Sequence, residues 1–341
     1  MQQILEDTAL KIIGIHDFLY FGFLGICVVI GIILLIKAGD VLSEAAATLA
    51  VFIGIPPILV GLTVVSVATS APELFTSISA IASNAKGLIL GNILGSNIAN
   101  IGLILGISLL IKPMDIVGAV PRFQRFTLLL VTSVFSGYLF FIPSQSITRE
   151  FGLILVLFLI SYLIFISYEA MRERKVKMTS LPQIESEEDM GANKWQPIAL
   201  IALSSLGLWL GSESLVFGSK SVALKLGIPE ELIGFSIVAV GTSLPELAAS
   251  IALLKKSQTA MLLGNIIGSN LFNIGLVGGV AGMIAPIKSN VANPWVDHIA
   301  MICLTGMLCR WLNGKKIGKS QGVILLSCYI FASVTTWVVN L

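Results

Sequence analysis

Charged residues are scarce in this chain. They make up 12% of its 341 residues, whereas an ordinary soluble domain carries roughly a quarter. So few charges cannot cover a soluble surface of this size, and apolar residues account for 56% of the chain. The net charge of +2 is too small to indicate a nucleic-acid partner, and we expect none.

Cysteine and histidine are also rare. The four cysteines all fall in apolar runs and form no CxxC pair, which argues against a disulfide framework or a zinc site. His16 and His298 each lie near the end of an apolar run, where an interfacial position is expected. HExxH and GxSxG motifs are both absent. We therefore expect a protein that is not an enzyme and has no resident cofactor.

Long apolar runs are what the chain does have. They reach about 20 residues, the length that a helix needs to cross the hydrocarbon core. Short alternating segments of the kind that build a barrel are missing. The sequence predicts an all-α polytopic membrane protein with ten transmembrane helices, at about 18–36, 57–82, 87–110, 124–142, 150–168, 196–217, 230–254, 258–285, 295–312 and 319–339.

The basic residues indicate an orientation. With both termini extracytoplasmic, 15 Lys and Arg fall in cytoplasmic segments and 6 on the opposite side. This arrangement places the polar stretch 169–194 in the cytoplasm, where we interpret it as a tether between two halves. We expect a multi-pass protein of the cell (inner) membrane, surrounded by lipid and with no obligate protein partner.

An internal repeat divides the chain. Residues 60–107 align with 233–280 at a constant offset of 173, and 22 of the 48 positions are identical. Five predicted spans separate equivalent points, so the second copy is inverted relative to the first. The sequence predicts a first five-helix repeat at 1–168, a linker at 169–194 and a second, inverted repeat at 195–341.

The repeat carries one glutamate in each copy, within ATSAPE (68–73) and GTSLPE (241–246). Both motifs fall near the middle of an apolar run, where a carboxylate is costly and indicates function. The proline of each motif frees a helix carbonyl, so we expect both helices to be broken here. Carboxylates, hydroxyls and carbonyls are hard oxygen ligands, which suit Na⁺ and Ca²⁺. We therefore predict a cation between Glu73 and Glu246.

A second block follows in each copy, GNILGSNIAN (91–100) and GNIIGSNLFN (264–273). Ser96 and Asn100 are four residues apart, which places them on one helix face. The second copy repeats that spacing. Each copy therefore offers a hydroxyl and an amide to the carboxylates.

These paired motifs resemble the sodium/calcium exchanger family of the cation/calcium antiporter superfamily, and the short central stretch resembles its prokaryotic members. The resemblance implies that Glu73 and Glu246 ligate Ca²⁺, and that neighbouring oxygens complete this site and the Na⁺ sites. The implied neighbours are Thr69, Ser70, Ser96, Asn100 and the Ser66 carbonyl, with Thr242, Ser243, Ser269, Asn273 and the Ala239 carbonyl in the second copy.

The resemblance also implies the activity, which is exchange of Na⁺ for Ca²⁺ by alternating access, electrogenic at a ratio of three to one. Two alternatives stay open at this stage: an H⁺/Ca²⁺ antiporter on the same scaffold and, less favoured, a Ca²⁺ channel. Ala68 replaces the usual glycine of the family, which is expected to stiffen the first motif. Asn273 stands where some relatives carry an acid, which argues against K⁺ co-transport.

Overall fold

The computed structural model of the chain describes residues 17–82, 87–141, 146–180, 195–226, 239–288 and 295–340. These residues are almost entirely helical, with four two-residue strands among them. The helices are α1 (Asp17–Ile53), α2 (Pro57–Ala82), α3 (87–111), α4 (Arg122–Phe141), α5 (Arg149–Ser180), α6 (Trp195–Lys225), α7 (239–255, interrupted at 242–243), α8 (Thr259–Ile284), α9 (Trp295–Trp311) and α10 (Lys319–Asn340).

Seven helices within the described residues are long and apolar enough to cross a membrane: α1 to α6 and α8. Their outward faces carry exposed apolar side chains such as Ile26, Phe75 and Phe141, which is the surface that lipid requires. The predicted all-helical membrane fold is therefore confirmed. Part of the predicted span at 230–254 lies outside the described residues.

Two predicted boundaries are wrong. The first helix runs from Asp17 to Ile53 and not from 18 to 36, because good helix formers continue the pattern past the apolar run. The fifth helix does not end at 168 but continues to Ser180, with an ion pair between Glu169 and Arg172 one turn apart. Residues 181–194 lie outside the described residues.

One of the two histidines is described. His298 is 5% exposed and lies in the first turn of α9, near the predicted end of a span. His16 falls outside the described residues. All four cysteines are free, as expected.

The core of the molecule is built where α2 crosses α8. A methyl group added to Gly61 would lie 2.1 Å from the Met261 carbonyl oxygen, and one added to Gly264 would lie 2.3 Å from the Ile58 carbonyl oxygen. Glycine therefore permits backbone contact between the two helices. This crossing brings the ATSAPE motif of the first copy beside the GNIIGSN block of the second.

A second pair of helices, α1 and α6, packs together in the same way. A methyl group on Gly31 would lie 2.7 Å from the Leu215 backbone nitrogen, and one on Gly218 would lie 2.8 Å from the Leu24 carbonyl oxygen. The Ser214 hydroxyl also donates a 2.9 Å hydrogen bond to the Cys27 carbonyl. These contacts join α1 and α6 into one tightly packed pair.

The four short strands form two antiparallel ribbons. In the first ribbon β1 (Met114–Asp115) pairs with β4 (Lys316–Ile317), and in the second β2 (Ser146–Ile147) pairs with β3 (Ile287–Lys288). β1 and β3 are separated by the repeat offset of 173 residues. Each ribbon therefore joins a connection of the first copy to a connection of the second.

Candidate ion-binding site

The two motif glutamates are buried in the interior. Glu73 lies in α2 and is 1% exposed, and Glu246 lies in the first turn of the second part of α7 and is 2% exposed. Ser70, which lies one turn before Glu73 in α2, contacts the Glu246 carboxylate. The two motifs therefore meet at their glutamates.

The backbones that carry the glutamates differ. The second-copy helix is interrupted at Thr242 and Ser243 and resumes at Leu244, which confirms the predicted break there. The first-copy helix is continuous from Ser66 to Ala82 with Pro72 inside it, so the prediction of a break in that copy is wrong. Alanine at position 68 favours the helix, whereas its counterpart Gly241 disfavours it by about 1 kcal/mol.

Hydrogen bonding around the carboxylates is incomplete. The Ser70 hydroxyl donates a 3.0 Å bond to Oε1 of Glu246, which links the first copy to the second. Both carboxylate oxygens of Glu73 and Oε2 of Glu246 have no hydrogen-bond partner among the described residues. Buried acceptors without partners are costly, so these oxygens are available to a cation or a proton.

Neutral side chains of the motifs and of the second blocks also have buried polar atoms without hydrogen-bond partners among the described residues. The hydroxyls of Ser96, Ser243 and Ser269 are buried and make no hydrogen bond within the described part of the chain. The side-chain oxygen and nitrogen of Asn273 are also buried and make no hydrogen bond there. Free hydroxyl and amide oxygens beside carboxylates form the type of ligand set that Na⁺ and Ca²⁺ take.

Thr69 of the first motif, and Ser66 just before it, contact α8. The Thr69 hydroxyl lies 3.4 Å from the Asn265 side-chain oxygen, and the Ser66 hydroxyl donates a 3.0 Å bond to the Asn265 carbonyl. The Asn265 amide lies 3.5 Å from the Ser250 hydroxyl, and Asn92 makes the same contact in the first copy. Asn265 therefore links α2 to the part of α7 that follows the second motif.

The asparagines of the second block form the centre of the packing. The Asn100 amide donates a 2.9 Å bond to the Asn270 side-chain oxygen, and the Asn270 amide lies 3.4 Å from the Asn97 carbonyl. The Asn100 side chain therefore has a hydrogen-bond partner within the protein, whereas its counterpart Asn273 has none among the described residues. Sequence reasoning missed the roles of Asn270 and Asn265, although their identity with Asn97 and Asn92 in the repeat was a usable signal.

The remaining predicted residues are placed less fully. Thr242 lies at the helix break and is partly buried. Only the backbone of Ala239 is described, at the start of α7. π-helical turns begin at Asn100 and Asn273, at equivalent positions of the two copies. Such turns concentrate at functional sites, because they leave carbonyl groups poorly paired.

Among the described residues, no buried positive side chain accompanies the two carboxylates. The buried charged and polar side chains of the described residues include no Lys or Arg. The same residues contain no cluster of three or more His, Cys, Asp or Glu. A cation here would be held by two carboxylates and by neutral oxygens, a set suited to a hard ion rather than to zinc or copper.

The chain is similar to a known protein family and to named members of it. Residues 23–168 and 196–338 match the family described as sodium/calcium exchanger protein. The chain is 35% identical over 309 residues to the putative antiporter CaxA of Alkalimonas amylolytica, covering 89% of this chain and 96% of that one. It is 29% identical over 338 residues to the sodium/calcium exchanger MaX1 of Methanosarcina acetivorans, covering 88% and 95%.

A solved structure is similar as well. The sodium-calcium exchanger NCX_Mj superposes with a TM-score of 0.76 at 29% identity, covering 92% of this chain and 99% of the other. That protein was studied with Na⁺ and Sr²⁺ soaked into its crystals. The similarity extends over both copies of the repeat and is not confined to the motifs.

Proposed function

Since this chain belongs to the sodium/calcium exchanger family, we propose that it exchanges Na⁺ for Ca²⁺ across the cell membrane as a secondary active antiporter. The observation that carries the proposal is the pair of buried carboxylates, Glu73 and Glu246, with no buried cationic side chain among the described residues to balance them. Their charge of about −2 is neutralised equally by one Ca²⁺, by several Na⁺ or by two protons.

In this mechanism Glu73 and Glu246 are shared ligands of both ions. Ca²⁺ lies between them, assisted by the carbonyls of Thr69 and Thr242. Na⁺ ions use the same carboxylates together with the neutral oxygens around them. These oxygens are the hydroxyls of Thr69, Ser70, Ser96, Thr242, Ser243 and Ser269, the carbonyls of Ser66 and Ala239, and the side chains of Asn100 and Asn273. Shared ligands make the ions compete, which is what antiport requires.

The proposed architecture has ten spans in two inverted five-helix repeats. The two ribbons support it, because they pair strands reciprocally between the copies, as a twofold pseudo-axis in the membrane plane would. With ten spans, β1 and β4 fall in connections on one side of the membrane, and β2 and β3 on the other. An odd error in the number of spans between two paired strands would place them on opposite sides.

Alternating access is assigned to the α1–α6 pair. Its internal contacts are backbone-to-backbone, as at Gly31 and Gly218, which supports movement of the pair as one body. Polar links join this pair to the site helices in the described residues. One of them joins Lys256 to the Asp40 carbonyl at 3.0 Å and to Glu44 at 3.4 Å. Sliding of the pair past the core would open the site to each side in turn.

Proton coupling is the nearest rival, and one observation favours it: the unpaired Glu73 oxygens would accept protons without any further ligand. The buried hydroxyls of Ser96, Ser243 and Ser269 favour Na⁺ instead, because a proton needs no such oxygens. We therefore place Na⁺ first.

The test is ⁴⁵Ca²⁺ uptake into proteoliposomes loaded with Na⁺, with K⁺ or with a pH gradient. Uptake that requires an outward Na⁺ gradient is the expected result. A dependence of that uptake on an imposed membrane potential would establish electrogenic exchange. Uptake driven by the pH gradient alone would move the coupling ion to H⁺. Uptake that follows the Ca²⁺ gradient with no counter-ion would indicate a channel.

A further inference from the structure

A hydroxyl on α6 contacts the break in α7 directly. Ser212 is buried, and its Oγ donates a 2.5 Å hydrogen bond to the carbonyl of Gly241. Ser212 lies outside both repeat motifs and has no place in the ion ligation proposed above. Its bond nevertheless ends on the residue that immediately precedes the interruption at Thr242.

The Gly241 carbonyl is the one that the motif proline releases. In a continuous helix it would accept from the backbone nitrogen four residues later, which is the nitrogen of Pro245 and carries no hydrogen. A buried carbonyl left without a donor costs about 1–3 kcal/mol. The Ser212 hydroxyl supplies the missing donor from a neighbouring helix.

Packing at the same point fixes the position of α6. Val216 lies one turn after Ser212 on the same face of α6. A methyl group added to Gly241 would lie 2.2 Å from Cγ2 of Val216, so this side chain rests against the peptide of the break. Glycine is therefore needed at position 241 for close contact as well as for the break. The two α6 residues hold one peptide unit by a hydrogen bond and by packing.

The first copy lacks this arrangement. The residue that corresponds to Ser212 is Gly39, which has no hydroxyl, and the residue that corresponds to Gly241 is Ala68. There the helix is continuous. The hydroxyl and the broken helix thus occur together in one copy and are absent together from the other.

We propose that Ser212 is a positioning residue that holds the Gly241 peptide in the shape required for ion binding and makes that shape depend on the position of α6. The proposal rests on the antiport function stated above. With its carbonyl held, the peptide between Gly241 and Thr242 cannot rotate, which orients the ion-facing groups of Thr242 and Ser243. Movement of α6 with α1 breaks the bond and releases the peptide. The position of the α1–α6 pair and the affinity for ions are thereby coupled through the hydrogen bond between Ser212 and Gly241.

The experiment compares Ser212→Ala with two matched variants on the same helix. Ser214→Ala removes the bond to the Cys27 carbonyl, which lies within the α1–α6 pair. Ser204→Ala removes a buried bond to the Ile201 carbonyl of α6 itself. All three changes delete one hydroxyl from α6, but only Ser212→Ala frees the Gly241 carbonyl at the break in α7.

Two readouts are measured for each variant in the full chain. Ser212→Ala should raise the half-saturating Na⁺ and Ca²⁺ concentrations by roughly three- to tenfold, the loss expected from one buried hydrogen bond, with little change in maximal rate. Amide hydrogen exchange in a peptide covering 239–247 should be faster in the ion-free Ser212→Ala protein alone. Both control variants should match the wild type in both readouts.

Half-saturating concentrations at wild-type values in Ser212→Ala would overturn the proposal, whatever the exchange data show. Equal shifts in all three variants would also overturn it, because they would indicate a general effect of loosening α6. Failure of the proposed function is recognised separately. In that case the wild type takes up no Ca²⁺ under a Na⁺ gradient, and the exchange comparison still tests whether Ser212 holds the break.

Discussion

The two copies of the repeat present the same glutamate on differently built helices. In the first copy Glu73 lies in α2, which is unbroken from Ser66 to Ala82 and passes through Pro72. In the second copy Glu246 begins a new helix after an interruption at Thr242 and Ser243. The supporting contacts differ as well, since Ser70 donates to Glu246 whereas the Ser243 hydroxyl has no partner among the described residues.

This difference shows that placing a buried carboxylate and satisfying the backbone around it are separate requirements. Both glutamates are buried to within 2% exposure, so either type of helix can place a carboxylate in the interior. The broken helix needs an additional donor for its free carbonyl, which Ser212 supplies. We infer that the second copy is the more adjustable half of the site and the first copy the more rigid half.

The largest loss of Ca²⁺ uptake is expected from substitution of the glutamate that both copies share. Glu73→Gln and Glu246→Gln should each lower Ca²⁺ uptake about 100-fold, because Ca²⁺ affinity depends steeply on the number of charged ligands. Uptake by proteoliposomes of equal protein content measures it. Glu44→Gln is the control, since that carboxylate is 79% exposed and should be dispensable. Full activity in both buried variants would remove the carboxylate pair from the mechanism.

Substitutions at Gly241 and Ala68, which are equivalent positions of the two motifs, test the difference between the two backbones. Gly241→Ala should lower the initial rate of uptake about tenfold, because the added methyl group would overlap Val216. Ala68→Gly should keep uptake near the wild-type rate while lowering the free energy of unfolding by about 0.5–1 kcal/mol, the cost of glycine within a helix. If the two substitutions affected uptake equally, the copies would be functionally equivalent despite their different backbones.

The central asparagines should separate stability from ion binding. Asn100→Ala leaves the Asn270 side-chain oxygen without its donor and should destabilise the protein by about 1–3 kcal/mol. Asn273→Ala removes no hydrogen bond in the described structure, so its melting temperature should stay close to that of the wild type while ion half-saturation changes. Thermal unfolding in detergent, paired with uptake assays, measures both. A lower melting temperature for Asn273→Ala than for Asn100→Ala would contradict the assignment.

The smallest effect is expected at the link between Lys256 and Glu44. The positions that correspond to them in the repeat are Ser83 and Phe217, which cannot form an ion pair, so the link belongs to one copy only. Lys256→Gln should change the uptake rate less than about threefold, because an exposed ion pair contributes about 1 kcal/mol or less. The change should disappear at high ionic strength, and Lys255→Gln serves as the control. A large effect that is insensitive to salt would contradict this assignment.

The sequence predicted the glutamate pair and its neighbours because repetition of polar residues within apolar runs is a strong signal. It predicted the helical membrane fold for the same reason, since composition decides that class. It could not distinguish the two backbones, because both motifs contain the same proline and only the contrast of Ala68 with Gly241 separates them. The contribution of Ser212 was also out of reach, since its partner lies 29 residues away and no motif includes it.

The reciprocal ribbons have a consequence for how the protein is made. β1 is synthesised about 200 residues before its partner β4, and β2 waits about 140 residues for β3. At about 5–20 residues per second, roughly 10–40 s pass between the synthesis of β1 and the synthesis of its partner. The first half of the chain therefore inserts as an incomplete structure, and its final shape is set only when the second half arrives.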